Sequence, residues 1–228
     1  MSNLIAREKN AEEIYNKHAK YYDLENRVME HIFSSERKLF RSLRGNILEV
    51  GVGTGLNLFH YDPSVNLTIL DFSPEMLKSA RSKIKKYNLN YVKEIREGDI
   101  EHLDNYFDKN SFDFVTSTCV FCSVPNPIKG LKKVKKVLRT EGFLVQIEHG
   151  LGYNELLNLL LKVLDPLTTN MRGFHLARDQ ISNLKSAGFK VVKSRNIDQA
   201  GIIKAMISRA ARKRDHEILQ IKNNNHYF

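Results

Sequence analysis

Residues 48–58, LEVGVGTGLNL, set three glycines at alternate positions directly after an apolar run. Such a run reads as a buried strand whose following turn leaves its main chain bare for a ligand to approach. In a sheet of parallel strands this turn lies at the carboxyl edge, where ligands bind. The rest of the chain supplies the other strands. After the strand at 46–51 a helix is expected to enter through the glycines. A second strand follows at 66–72, then a helix with Ser73 as N-cap and Pro74 at its first position. Further strands are expected at 91–99, 111–121 and 143–149, with a helix over 126–142 closed by Gly142. Beyond residue 150 come a helix at 153–164, an irregular stretch at 165–179, a helix at 178–187 and strands at 189–196 and 201–208. Strands alternating with helices predict an α/β fold: a mostly parallel sheet with helices on both faces.

The choice of ligand follows from what surrounds the glycines. A dinucleotide turn continues G-x-G-x-x-G/A, but Leu56 stands where the small residue is needed. No Gly-Lys-Ser/Thr follows, so a nucleoside triphosphate loop fails as well. Instead, Glu49 precedes the glycines Gly51, Gly53 and Gly55. Asp71, at the end of strand two, can accept both hydroxyls of a ribose. Asp99, at the end of strand three, can accept an adenine amino hydrogen beside the N–H of Ile100. Glycines, a ribose acid and an adenine acid, with no phosphate-binding lysine, describe an adenosine ligand without phosphates. S-adenosylmethionine is the leading candidate. For Asp71 and Asp99 the plain alternative is capping of a strand end.

At this point the chain resembles the class I S-adenosylmethionine-dependent methyltransferases over about residues 12–208. The matching segments, in order, are E-x-G-x-G-x-G (49–55), LDFSPEML (70–77), GDIEHL (98–103), FDFVTST (112–118) and VLRTEGFLVQIEHG (137–150). Where the family usually reads K-P-G-G, this chain has Arg139-Thr140-Glu141-Gly142. The resemblance implies a Rossmann-like sheet of seven strands with an antiparallel last strand, S-adenosylmethionine as cofactor and S-adenosylhomocysteine as product. YNKHAKYYD (15–23) is similar to the family segment that closes over the cofactor, which implies Tyr15 and Tyr22 near its methionine part. The resemblance adds Asn57, Phe72 and Met76 to the cofactor set, with a backbone contact at Cys119. It implies one methyltransferase domain over 1–208, comprising a helical lid at 10–43 and an acceptor-side insert at 151–178. A basic polar tail follows at 209–228.

The acceptor half is less legible, because methyl transfer from a sulfonium needs alignment and exclusion of water more than particular residues. Within the family the chain resembles a methyltransferase-11-like subgroup. That subgroup acts on phospholipid amines, small thiols and, more distantly, the quinols of quinone biosynthesis. His149, at the end of strand five, is the candidate general base; a histidine satisfied by loop hydrogen bonds is the alternative. Phe121, Arg172 and His175 are candidates for the acceptor pocket. Cys119 and Cys122, three apart on the expected strand, face opposite sides, and no second cysteine pair completes a zinc site. No metal is expected.

Charge bears on partners. The 228 residues carry a net charge of +10, densest in KGLKKVKKVLR (129–139) and RAARKR (209–214). That excess suits an anionic surface, membrane or nucleic acid. The motif of amino-base methyltransferases, D/N-P-P-Y/F/W after strand four, is replaced by CVFCSVPNP, which argues against nucleic acid. No run reaches the roughly 18 apolar residues of a membrane span, and two cysteines without a signal peptide suggest a cytoplasmic place. The expectation is a small-molecule or lipid-like acceptor with peripheral contact at an anionic membrane. Three rivals remain open: an NAD-dependent oxidoreductase, an RNA methyltransferase and an S-adenosylmethionine-binding protein without methylation activity. Oligomeric state is open too.

Overall fold

The computed structural model describes residues 11–25 and 27–211, with the side chains of 28–31 outside that description. The lid residues Val28 and Met29 and most of the expected tail therefore lie beyond it. Seven strands form one sheet: β1 (Asn46–Val50), β2 (Asn66–Asp71), β3 (Val92–Glu97), β4 (Phe112–Thr118), β5 (Leu138–His149), β6 (Phe189–Asn196) and β7 (Ile203–Ala210). Their order is β3-β2-β1-β4-β5-β7-β6. The first five strands run parallel; β7 lies antiparallel between β5 and β6. Strand order reverses between β1 and β4, which opens a crevice at their carboxyl ends.

Alternation along the central strands feeds two cores. Leu48 and Val50 of β1, Val115 of β4 and Leu144 of β5 pack with Leu131 and Val134 of α5 (Pro127–Val137) and Leu184 of α7 (Gln180–Ser186). On the other face Ile47, Ile69, Val145 and Ile147 meet Leu77 and Ala80 of α4 (Pro74–Tyr87). The 3-10 turn Glu36–Ser42 joins this face through Phe40, whose ring stacks on Tyr61 with centroids 5.4 Å apart. Ser73 caps α4 as expected, its Oγ accepting the Met76 N–H at 3.2 Å. Before the sheet, α1 (11–18), α2 (Tyr22–Glu25) and α3 (Arg27–Ser34) cross its carboxyl edge.

Four expectations need correction. The glycines lead into the 3-10 turn Leu58–His60, with no α-helix there. Gly51, Gly53 and Gly55 take φ of +62°, +56° and +88°, and Pro63 follows before β2, so too little right-handed chain remains for a helix. The helix expected to reach Gly142 ends at Val137, because Leu138 turns extended to pair with Phe112 and is buried there. Strand β4 stops at Thr118, since Cys119 is left-handed (φ +53°); the two cysteines therefore lie in a turn, and the opposite-faces reading does not apply. Finally, α6 (Glu155–Arg172) takes the first part of the stretch expected to be irregular, and only 173–179 stays without regular structure before α7. Thr168 and Thr169 donate their hydroxyls to the Asp165 carbonyl on either side of Pro166, and Gly173 closes the helix at φ +76°.

Phe40 carries the 3-10 turn and has no exposed surface. Phe40→Ala is expected to lower unfolding free energy by about 3–5 kcal/mol, read by urea denaturation.

Candidate active site

The glycine turn is held by two carboxylates under it. Asp71 accepts the Gly53 N–H at 2.7 Å and the Ser73 N–H at 2.9 Å, which joins the ends of β1 and β2. Burial pushes its carboxyl up to about 6, and the backbone N–H donors oppose that rise. Glu49 has no exposed surface and accepts from Asn57 Nδ2 at 2.7 Å; the same amide reaches Thr118 Oγ1 at 3.1 Å. Burial raises Glu49 to about 7. A Cβ on Gly51 would strike Val120, and one on Gly55 would strike Leu58; one on Gly53 would meet open space. The bare main chain at Gly53 thus faces a void.

That void is a cavity of about 320 Å³. Gly51, Gly53, Asp71, Phe72, Met76, Asp99, Ile100 and Cys119 line it, along with Tyr15 and Tyr22. The helical segment before the sheet closes it from above. Tyr15 bridges to Ser123 Oγ at 2.6 Å and meets Phe72 edge-on at 5.7 Å. Ser73 Oγ donates to Asn16 at 2.6 Å, and Asp23 of α2 accepts from Thr54 at 2.5 Å and Lys83 at 2.6 Å. Asp99 lines the cavity but also caps the turn Ile100–Asn105, accepting the Glu101 N–H at 2.8 Å. Its other oxygen lies 3.1 Å from His102 Nδ1. Capping and pocket lining coexist at this residue.

A second cavity of about 380 Å³ adjoins the first, sharing Tyr15, Tyr22, Gly51, Gly53, Thr118 and Cys119. His149 and Asn57 line this one. The imidazole of His149 is pushed down to about 4 by burial and by Arg178, so it is neutral at physiological pH. It meets the Phe174 ring edge-on at 5.3 Å. Between the cavities, Glu148 shapes the turn after β4: its Oε1 accepts from Ser117 Oγ and from the N–H groups of Val120 and Phe121. Arg178 grips the same turn by donating to the carbonyls of Phe121 and Val124.

The acceptor-pocket candidates fall elsewhere. Phe121 is fully buried in the core beneath α5 and lines neither cavity. Arg172 is half exposed in an ion pair with Glu25 at 2.8 Å. His175 is turned to Asp165, 2.7 Å away. Its neighbours Phe174 and Leu176 line the second cavity instead, as do Phe33, Arg37, Leu56 and Ile202. Alternation around His175 could have pointed to Phe174 and Leu176; nothing in the pattern around Arg37 marks it. Burial raises the thiol of Cys119 and pushes that of Cys122 up to about 12, so both stay protonated. Among the described residues, no group of three or more His, Cys, Asp or Glu could hold a metal ion.

Residues 48–146 match the family described as "Methyltransferase domain". A thiol S-methyltransferase of Rattus norvegicus is 32% identical over 173 residues, covering 70% of this chain and 69% of that protein. The chain belongs to the class I S-adenosylmethionine-dependent methyltransferases. A phosphatidylethanolamine N-methyltransferase of Cereibacter sphaeroides is 41% identical over 105 residues, 46% of this methyltransferase chain. The match spans 51% of that relative, about half its length. A Bacillus halodurans structure classed as a methyltransferase superposes with a TM-score of 0.65 at 16% identity, covering 78% of this chain and 98% of that one; it shows the fold alone. The residues present fit the family's cofactor. The first cavity has open space over Gly53, carboxylates at Asp71 and Asp99, and no lysine or arginine among its described lining residues. A phosphate would find no cation there; a sulfonium and an adenosine would not need one.

Asp71 predicts a pH dependence. An ionised carboxylate there can accept hydrogen bonds from both hydroxyls of a ribose, whereas the protonated form keeps only part of that capacity. S-adenosylhomocysteine affinity is therefore expected to be full above about 6 and to decline as pH falls through that value. Asp71→Asn should flatten the profile and weaken binding at pH 7.5 by about 1.5–3 kcal/mol, measured by calorimetry across pH.

Proposed function

We propose that this protein transfers a methyl group from S-adenosylmethionine to a small or lipid-like acceptor: a phospholipid amine, a thiol or a quinol. The observation that carries the reading is the pair of adjoining cavities that share Tyr15, Tyr22 and Cys119. One suits an adenosine; the other is mostly apolar and suits a hydrophobic acceptor. Relatives named phosphatidylethanolamine N-methyltransferase, thiol S-methyltransferase and demethylmenaquinone methyltransferase support the same range.

In this reading the cofactor supplies a methyl group made electrophilic by its sulfonium. Asp71 receives the ribose hydroxyls and Asp99 the adenine edge, with the Ile100 N–H beside it. The glycine turn lets the methionine part lie against main chain, and Tyr15 and Tyr22 close over it. The lid and the aromatic walls exclude water and align the acceptor. The proton shed by a thiol, amine or quinol acceptor passes to solvent, because His149, lowered to about 4, does not retain it at neutral pH. His149 is neutral but weakly basic, so its role is to accept a hydrogen bond from the nucleophile and orient it. His149→Gln, which keeps an acceptor, should preserve most of kcat, whereas His149→Leu should lower kcat/KM by about tenfold or more.

No helix among the described residues is long and apolar enough to cross a membrane. Peripheral contact is supported by α6, which has no buried residue. Leu156, Leu159, Leu160, Val163, Leu167 and Met171 form one exposed stripe along it. Its last residue reaches the lid through the Arg172–Glu25 pair, and Phe174 and Leu176 continue from it into the second cavity. The net charge of +10 favours an anionic bilayer.

A screen with methyl-radiolabelled cofactor against lipid extract, small thiols, quinols and RNA tests the proposal. Label is expected in lipid, thiol or quinol; label in RNA alone would overturn the acceptor class, and cofactor binding without any transfer would leave a sensor. In liposome flotation, Leu160→Asp with Val163→Asp should cut binding to anionic vesicles by at least about tenfold, with S-adenosylhomocysteine affinity unchanged.

A further inference from the structure

Asp99 ends a chain of polar side chains that leads away from the first cavity. Its Oδ1 accepts the Glu101 N–H at 2.8 Å, and its Oδ2 lies 3.1 Å from His102 Nδ1. The other ring nitrogen of His102, Nε2, lies 3.3 Å from Lys129 Nζ. Lys129 in turn pairs with Glu101 at 3.2 Å. Glu101 is 1% exposed and accepts the Asn126 N–H at 2.7 Å, where α5 begins. The backbone at His102 departs from helical geometry inside the turn Ile100–Asn105, at φ −129° and ψ 25°, and the ring turns back to Asp99.

Donors and acceptors in this chain can be assigned. A lysine ammonium only donates hydrogen bonds. Nε2 therefore accepts from Lys129, the ring hydrogen sits on Nδ1, and Nδ1 donates to Asp99 Oδ2. A carboxylate bonded through one oxygen can swing about its Cβ–Cγ bond, whereas bonds to both oxygens hold its plane. Each oxygen keeps a further lone pair for a ligand. A nucleobase is thus offered one acceptor, Asp99, beside one donor, the Ile100 N–H. Adenine matches the pair with its 6-amino hydrogens and N1. Hypoxanthine inverts both, so that O6 would face the carboxylate and N1–H would face the Ile100 N–H.

We infer that His102 is a positioning residue for nucleobase recognition: it holds the Asp99 carboxylate in the plane that accepts the 6-amino group of adenine. Lys129 sets the orientation of the imidazole. This rests on the proposed function, in which Asp99 receives the adenine edge. Neither His102 nor Lys129 lines the cavity, so both act through Asp99. Selection of the base then depends on two residues that the ligand never touches.

Calorimetry on the full chain tests this with S-adenosylhomocysteine and S-inosylhomocysteine, which differ at the 6-position of the purine and in the hydrogen on N1. Wild type should bind the adenosine compound about tenfold or more tightly. His102→Leu should weaken that binding about fivefold and leave the inosine compound within about twofold, so that the preference shrinks. His102→Asn, whose amide nitrogen takes the place of Nδ1, should recover most of the loss. A residue that only supports the fold would lower both affinities together. An unchanged preference in His102→Leu, or equal weakening of both ligands, would therefore overturn the inference. His102 is half-buried and belongs to neither core, so Tm is expected to stay close to wild type. If His102→Leu does not fold, Lys129→Met decides by the same ratio: a smaller preference supports the role of His102, and an unchanged one overturns it. Wild type that binds neither compound would sink the proposed function. Wild type that binds both equally would leave the cofactor's site standing and remove the role of His102.

Discussion

The Asp71 carboxylate takes one N–H from the glycine turn after β1 and another from the cap of α4, and these two bonds make the ends of β1 and β2 a single edge. The bonds are strong because they are charge-assisted and shielded from water. The same burial that strengthens them disfavours the charge itself, which raises the carboxyl to about 6. Glu49 repeats this arrangement one layer lower, where its hold on Asn57 ties the turn to Thr118 at the end of β4. Three strand ends are thereby set before any ligand arrives. The cofactor cavity is largely preorganised, and ionised carboxylates in it are the variable part.

A lid laid across this edge divides the space above it. Tyr15 spans from Phe72, after β2, to Ser123, after β4, and Asp23 ties α2 to Thr54 and Lys83. Tyr15 and Tyr22 belong to the walls of both cavities, so movement of this segment changes both together. The turn after β4 forms the opposite wall. Glu148 gathers its N–H groups and Arg178 its carbonyls, so a turn with a left-handed Cys119 is held from both sides. The second cavity is consequently built from parts far apart in sequence: the turn of Arg37, the end of β5, the strap after α6 and the start of β7.

Much of the sheet was legible because its strands are short apolar runs bounded by turn residues, and those signals are local. Gly51, Gly53, Asp71 and Asp99 line the cavity they were expected to serve, since strand ends of a parallel sheet share one edge; Glu49 and Gly55 do not line it, and Asn57 lines the second cavity instead. Where reading failed, local signals conflicted with packing. Residues 165–172 were expected to be irregular, but the helix continues through Pro166, with Thr168 and Thr169 hydrogen-bonding the Asp165 carbonyl beside it. Phe121 had the look of a pocket residue at a strand end; the left-handed turn at Cys119 rotates it into the core. His175 was the polar residue in a promising loop, but Asp165 claims it and its apolar neighbours face the cavity.

The sequence by itself determined the class of fold, the antiparallel close of the sheet and the cofactor's chemistry, because each depends on residue types at fixed spacing along strands and their ends. Tertiary structure decided the lining of the second cavity. Which of Phe174, His175 and Leu176 faces inward depends on how α6 ends and where the strap docks on Cys122, whose carbonyl accepts the His175 N–H at 2.9 Å. Arg37 becomes a cavity residue only because Phe40 and Glu36 bury its turn against Tyr61 and β6. Such contacts join segments well separated in sequence, in the case of Glu36 and Arg195 by more than a hundred residues, and no periodicity within either segment encodes them.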